Sequence, residues 1–304
     1  MTEIEKKIQE LKKIINESGI QAGDEIAILE DKLCNGSKPD SVWEKVELAR
    51  HPDRPYALDY IKRIFDNFIE LHGDRAFGDD AAIVGGIAFL DSRPVTIIAN
   101  QKGRTFKENF SRNHGMAHPE GYRKALRLAK EAEIFLRPVI TIIDTPGAYP
   151  GLESEGRCIG ESIARNLREF SQLLTPVISI IIGEGGSGGA LGIGVGDRVY
   201  MLENAIYSVI SPEGCASILL RDTSKAKEAA AMLRITSKDL IDFNIIDGII
   251  PEPKGGAHTD PDLTAKNIKE LLIKELNEIC EKDTDELVRL RNNKIRAIGQ
   301  WNEG

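Results

Sequence analysis

The sequence predicts an α/β fold on a parallel sheet buried on both faces, and three observations predict it. Residues 177–182, Val-Ile-Ser-Ile-Ile-Ile after Pro176, form a nearly unbroken β-branched run, the pattern of a strand covered by helices on both sides. Residues 139–143, Val-Ile-Thr-Ile-Ile, repeat it. Each run leads into a glycine-bearing segment: Asp144-Thr145-Pro146-Gly147-Ala148-Tyr149-Pro150-Gly151 and Gly183-Glu184-Gly185-Gly186-Ser187-Gly188-Gly189-Ala190. Ligands of open α/β sheets gather at such carboxyl ends.

Taken in order, residues 3–18 carry Ile4, Ile8, Leu11, Ile14 and Ile15 at helical spacing, and Ser18-Gly19 stops the run, so an amphipathic docking helix is expected. Short helices are expected over 24–33 and 42–49. Arg50-His51-Pro52-Asp53-Arg54-Pro55-Tyr56 is too proline-rich for regular structure and reads as a connector carrying positive charge. Residues 60–71 read as a helix with Ile61, Ile64, Phe65 and Phe68 on one face. Residues 83–90 and 95–99 read as strands joined through Asp91-Ser92-Arg93-Pro94 in a hairpin.

Residues 100–119 read as a long irregular segment in which Lys102, Arg104, Lys107 and Arg112 are opposed only by Glu108. The excess suits phosphates, and a solvated basic loop is its other reading. Helices are then expected over 120–135 and 157–172, and strands near 199–202, 206–210 and 245–250. Further helices are expected over 215–220, 225–233, 263–280 and 284–297. The alternation of strand and helix implies βαβ units. The expected domains are a helical extension over 1–48, the main domain over 49–260, and C-terminal helices over 261–304 that pack on the domain or on a partner.

Bulk properties narrow the function. The 304 residues include 41% hydrophobic positions and a net charge of −8, ordinary for a globular protein and unfavourable to general nucleic-acid binding. No apolar run approaches the roughly 20 residues of a membrane span, and Met1-Thr2-Glu3-Ile4-Glu5-Lys6-Lys7 lacks the apolar core of a signal peptide, so a cytoplasmic location is expected. Cys34, Cys158, Cys215 and Cys280 contain no Cys-x-x-Cys, and the histidines, among them His51, His72, His114 and His118, show no ligand spacing. No metal site is expected.

The glycine-rich stretch carries the chemistry. Residues 183–189 disfavour a continuing strand while Ala190 onward suits a helix, so strand, tight glycine turn and helix N-terminus are expected. First-turn amides have no intrahelical partner, and the macrodipole adds positive character. Gly189, Gly192, Gly194 and Gly196 each cost roughly 1 kcal/mol in a helix relative to alanine, which points to something approaching that backbone closely. Gly183-x-Gly185-x-x-Gly188 with Glu203 fits a dinucleotide fingerprint, although its helix is short. Gly185-x-Ser187-x-Gly189 fits a nucleophile elbow, although His258 is the only downstream histidine. A third reading uses the Gly188 and Gly189 amides alone as an oxyanion hole.

With these turns stand 49–56, Val84-Gly85-Gly86-Ile87, Gln101-Lys102-Gly103-Arg104, Pro119-Glu120-Gly121-Tyr122, Ile163-Ala164-Arg165-Asn166, 208–217 and 250–258. The set, in this order from about Ala49 to His258, resembles the alpha subunits of bacterial acetyl-CoA carboxylase carboxyltransferases. The family commonly continues after the first turn with Glu-Arg-Gly-Gln, where this chain has Gly156-Arg157-Cys158-Ile159.

The resemblance implies a crotonase-like spiral of ββα units and transfer of a carboxyl group from carboxybiotin to acetyl-CoA, giving malonyl-CoA for fatty acid synthesis. Carboxybiotin would arrive on a biotin carboxyl carrier protein, and biotin carboxylase would complete the assembly. A beta subunit would complete an α2β2 heterotetramer and carry the zinc. The cofactor would supply the base, so no triad is needed. Under this resemblance Gly147, Ala148, Gly188 and Gly189 are the expected backbone oxyanion donors. Gly185, Gly186 and Tyr149 are expected on the carboxybiotin side, with Lys102 and Arg104 at CoA phosphates. A self-contained acyl-CoA hydratase or isomerase is the alternative, with Glu153, Glu155 and Glu161 as candidate carboxylates or, as readily, helix N-terminal charges.

Overall fold

The two β-branched runs become neighbouring central strands. The computed structural model describes residues 41–299; the helices expected over 3–18 and 24–33 lie outside the described residues. In chain order come α1 (Val42–Ala49), α2 (Ala57–Ile64), β1 (Asp66–Glu70), β2 (Ile83–Leu90), β3 (Arg93–Asn100), α3 (Phe106–Ser111), α4 (Pro119–Ile134) and β4 (Val139–Thr145). Next are α5 (Leu152–Gly156), α6 (Ile159–Ser171), β5 (Val177–Gly186), α7 (Ser187–Gly194), β6 (Arg198–Leu202) and β7 (Ile206–Ser208). After α8 (Pro212–Cys215) and a π-helical turn (Ala216–Leu220) come α9 (Ala226–Leu233), α10 (Ser237–Asp242), β8 (Gly248–Ile250), α11 (Pro261–Ile279) and α12 (Thr284–Arg296).

The sheet runs β1-β2-β3-β4-β5-β6-β8, with β7 pairing β5. The first three strands are antiparallel neighbours, and from β3 onward every pairing is parallel. All of β4 is buried, as is β5 from Val177 to Gly183, as the unbroken apolar runs require. Tyr122, Leu128 and Ala129 of α4, Phe170 of α6 and Ile268, Leu272 and Leu276 of α11 fill the same core.

Four expectations need correction. The helix expected over 60–71 stops at Ile64, because Phe65 is extended (φ −116°, ψ 148°) and the chain pairs antiparallel with β2 as β1. A short helix, α3, interrupts the segment 100–119, capped by reciprocal bonds between Thr105 and Glu108. The helix α10, with its Thr236 and Asp239 capping box, was not anticipated. Most consequential, 183–186 does not turn. Strand β5 continues through Gly186, since Glu184, Gly185 and Gly186 pair with Ile206, Tyr207 and Ser208 of β7.

Charges bury deeply at both ends of the sheet. At the amino end, Arg291 of α12 donates to both Asp197 carboxylate oxygens and to the carbonyls of Phe170, Leu173 and Thr175. At the carboxyl end, Arg54, only 1% exposed, sits in the proline-rich segment that the sequence presents as a connector carrying positive charge. Its Nη2 lies 2.5 Å from Glu252 and its Nε donates to the Ile182 carbonyl at 2.7 Å. Glu252 also accepts from the Asn204 and Ala257 backbone amides.

Removing one partner of such a pair strands a buried charge, so Arg54→Met should lower stability to urea by about 3–5 kcal/mol. The double variant Arg54→Met/Glu252→Gln should recover much of that loss. A single-variant cost below about 1 kcal/mol, the scale of a surface pair, would contradict the role given to Arg54.

Candidate functional site

The carboxyl ends of β4 and β5 carry the two glycine segments, and the structure brings them into backbone contact. A Cβ built on Gly189 would lie 2.3 Å from the Gly147 carbonyl carbon and 2.6 Å from the Ala148 nitrogen. One on Gly186 would lie 2.1 Å from the Pro146 oxygen. No side chain fits in either gap, so glycine lets the start of α7 lie directly on the peptide plane of 146–148.

The amides at this contact are not equivalent. Gly147 N–H donates to Thr145 Oγ1 at 3.2 Å, and that hydroxyl donates back to the Gly147 carbonyl at 2.7 Å. Gly147 is therefore occupied within its own turn, unlike the free donor expected, and Ala148 is the open amide of that segment. Gly188 and Gly189, in the first turn of α7, have no carbonyl one turn back along the helix. Ser187, and none of the glycines around it, carries a positive φ here (50°). Gly188 has room, its nearest Cβ neighbour being Ile163 Cδ1 at 3.5 Å.

Beside the α7 start lies a cavity of about 230 Å³ lined by Ser187, Gly188, Leu191, Tyr207, Val209, Leu240 and Ile245. Burial pushes the Tyr207 hydroxyl up to about 12. On the other flank Tyr149 tilts against His118 with ring centroids 4.3 Å apart, and its N–H donates to the Ala117 carbonyl. His118 Nδ1 lies 2.7 Å from Ser154 Oγ and 3.3 Å from Arg157 Nη2. Arg157 in turn pairs with Glu120.

Beneath the turns lies a charge cluster. Lys102 Nζ is 2.7 Å from Asp144 and 3.1 Å from Glu184, and Arg50 Nε is 2.8 Å from Glu184 and continues to Glu213. Burial alone would lower the Lys102 pKa, but Asp144 and Glu184 outweigh it and hold the ammonium above its ordinary value. Burial likewise opposes ionisation of Glu184, yet Lys102 and Arg50 keep it below the usual carboxylate range.

The expected phosphate cations are thus already engaged. Lys102 is enclosed by two carboxylates. Arg104 lies 2.6 Å from Asp59 and stacks over the Tyr56 ring. Gly185 and Gly186 lie in the strand, Gly185 packed on Tyr207, so the dinucleotide turn does not form. Ser187 is exposed, and the histidines engage one another or other partners: His51 stacks on His258 at 3.8 Å, and His72, His114 and His118 meet Asp79, Asn109 and Ser154. No triad assembles around Ser187. Glu153, Glu155 and Glu161 are all exposed first-turn charges of α5 and α6, as the macrodipole favours. Among the described residues no cluster of histidine, cysteine or carboxylates could hold a metal.

The model of the acetyl co-enzyme A carboxylase carboxyltransferase-like family matches residues 1–299. The chain belongs to this family. An acetyl-coenzyme A carboxylase carboxyl transferase subunit alpha from Treponema denticola is 62% identical, over 97% of this chain and 97% of that protein. Its counterpart from Fusobacterium nucleatum is 53% identical, over 99% and 97%. Among solved structures, transcarboxylase 12S superposes with a TM-score of 0.62 over 77% of this chain at 20% identity; this chain spans 44% of its length. A Pseudomonas malonate decarboxylase hetero-tetramer in complex with coenzyme A gives a TM-score of 0.57 at 21% identity, over 72% of this chain and 90% of that one. These likenesses establish the crotonase-like α/β fold for this carboxyltransferase-family chain.

In a carboxyltransferase-family chain with this geometry, three single substitutions should separate backbone from side-chain roles. Ser187→Ala and Gly188→Ala should leave most carboxyl transfer intact. Gly189→Ala would push α7 off the 146–148 segment, and a shift on the 1 Å scale should lower kcat by ~10²-fold. Kinetics on complexes shown to assemble by gel filtration check the ordering, and an inactive Ser187→Ala beside a fully active Gly189→Ala would refute it.

Proposed function

We propose that this chain is the carboxyltransferase alpha component of an acetyl-CoA carboxylase and helps convert acetyl-CoA to malonyl-CoA for fatty acid synthesis. The observation that carries the reading is the open amide set: Ala148 on one segment and Gly188 and Gly189 on the other, joined by the Gly189 contact. It is supported by family membership over 1–299 and by relatives named as alpha subunits.

Carboxybiotin, delivered on a partner carrier protein, would supply the carboxyl group and the base when bound. The geometry fits it on two counts: amides that can donate to an oxygen gaining charge, and an apolar hollow of about 230 Å³ beside them. Gly188 and Gly189 N–H would act as a preorganised pair backed by the positive end of α7. Ala148 N–H adds a donor from the facing segment. Amides held by strands need no reorganisation as charge develops, and one such donor is worth ~10²–10³ in rate. Tyr149, packed on His118, would wall the carboxybiotin side and limit water. With Lys102 and Arg104 internally engaged, CoA phosphates would meet Lys107, which is exposed on α3.

The site would be completed by a beta subunit bearing zinc, in an α2β2 assembly that works with the biotin carboxyl carrier protein and biotin carboxylase. No helix among the described residues is long and apolar enough to cross a membrane, and the reading places the assembly in the cytoplasm. The test supplies carboxybiotin and acetyl-CoA to the chain alone, then to the chain with its beta partner. Malonyl-CoA should form only in the second mixture. Its formation by the chain alone, or hydration of an enoyl-CoA by the chain alone, would overturn the assignment.

A further inference from the structure

Strands β4 and β5 pair in regular parallel register from Val139↔Val177 to Ile143↔Ile181, and the register then shifts so that Thr145 faces Gly185. Two extra residues of β5 are taken up between these pairs, immediately before the glycine segment. Irregularities of this kind redirect the chain beyond them, and here the redirected segment is the start of α7 with its Gly188 and Gly189 amides.

One side chain closes the irregularity. Asp144 Oδ1 accepts the Glu184 backbone N–H at 2.9 Å, so a β4 carboxylate stands where a ladder bond to β5 would otherwise be. The same oxygen accepts Lys102 Nζ at 2.7 Å, and Lys102 reaches on to the Glu184 side chain at 3.1 Å. Lys102 lies just beyond the end of β3, so one ammonium ties the ends of three adjacent strands. Gly183 is the residue the staple passes over: a Cβ there would lie 2.4 Å from Asp144 Oδ1. Arg54 Nε holds the Ile182 carbonyl in the same irregular stretch.

We propose that Lys102 is a positioning residue for carboxyl transfer: it holds Asp144 on the Glu184 amide and so sets the offset of the Gly188 and Gly189 amides from Ala148. The inference rests on the amide-site reading above and deepens it. A loosened staple lets the two halves of the site drift, so that the carboxyl group is lost as CO2, with a proton taken up in its place, instead of forming a new carbon–carbon bond to the acyl methyl carbon.

Two readouts test it. Amide hydrogen exchange on the full chain should accelerate across residues 183–187 in Lys102→Met. In the assembled complex the same variant should show a ~10²-fold lower kcat for malonyl-CoA, a largely unchanged KM for acetyl-CoA, and fewer malonyl-CoA formed per carboxybiotin consumed. In Lys102→Met/Asp144→Asn the asparagine oxygen can still accept the Glu184 amide, and Glu184, which also loses the ammonium, keeps the Arg50 guanidinium, so no buried carboxylate is left without a cation. That variant should regain slow exchange and most of the coupling. Gly183→Ala deletes no charge yet displaces Asp144, so it should reproduce the uncoupling and carries the test if Lys102→Met does not assemble. Faster exchange with normal coupling in the variant that assembles would reduce the cluster to a stabilising role and overturn the proposal, as would unchanged exchange. Wild-type complex that makes no malonyl-CoA would instead refute the reading beneath it.

Discussion

Backbone lying on backbone, Gly186 and Gly189 against residues 145–148, is the constraint on which the rest depends. Amides are useful to a developing oxyanion only where they are open, fixed and mutually placed. Three features meet that need here: a first helical turn leaves amides without partners, the parallel strands beneath fix both segments, and the missing side chains permit the approach. A side chain at Gly189 would cost the site its geometry without altering any functional group.

Placing two strand ends so closely concentrates polar groups at the top of a buried sheet, and ion pairs offset that cost. Arg54 with Glu252, and Lys102 with Asp144 and Glu184, are charges that burial would penalise if they stood alone. Their sign arithmetic leaves them intact across the neutral range. Glu184, with its pKa depressed, adds stability that is present above its ordinary 4.5 and lost only as pH falls below that. Lys102, raised above 10.5, adds stability lost only as pH rises past that value. The Lys102–Glu184 pair is therefore insensitive to pH across the neutral range.

The fold class was legible because fully buried parallel strands leave a local signature. The runs at 139–143 and 177–182 became β4 and β5, and 83–90 became β2 with the same bounds. What failed was whatever depends on distant pairing. Residues 183–186 look unfit for a strand alone, yet β7 holds them in one. Arg54 read only as a charge on a connector because its partner Glu252 lies 198 positions away. The basic segment from Lys102 to Arg112 read as a phosphate seat or a solvated loop for the same reason: charge in a sequence looks exposed until its counter-charge is found. A signal was nonetheless present, since Asp144 and Glu184 each stand at the end of a run with no other reason to carry a carboxylate.

Under the proposed function, backbone donors from two segments, and no side-chain nucleophile, hold the reacting oxygen. The most direct measurement is a high-resolution structure of the assembled complex with a ureido ligand such as biotin bound. Its carbonyl oxygen should lie at hydrogen-bond distance, roughly 2.7–3.1 Å, from the Gly188 and Gly189 nitrogens or from Ala148, with Ser187 Oγ turned away. A ligand held by Ser187 Oγ, or seated away from both glycine segments, would contradict it.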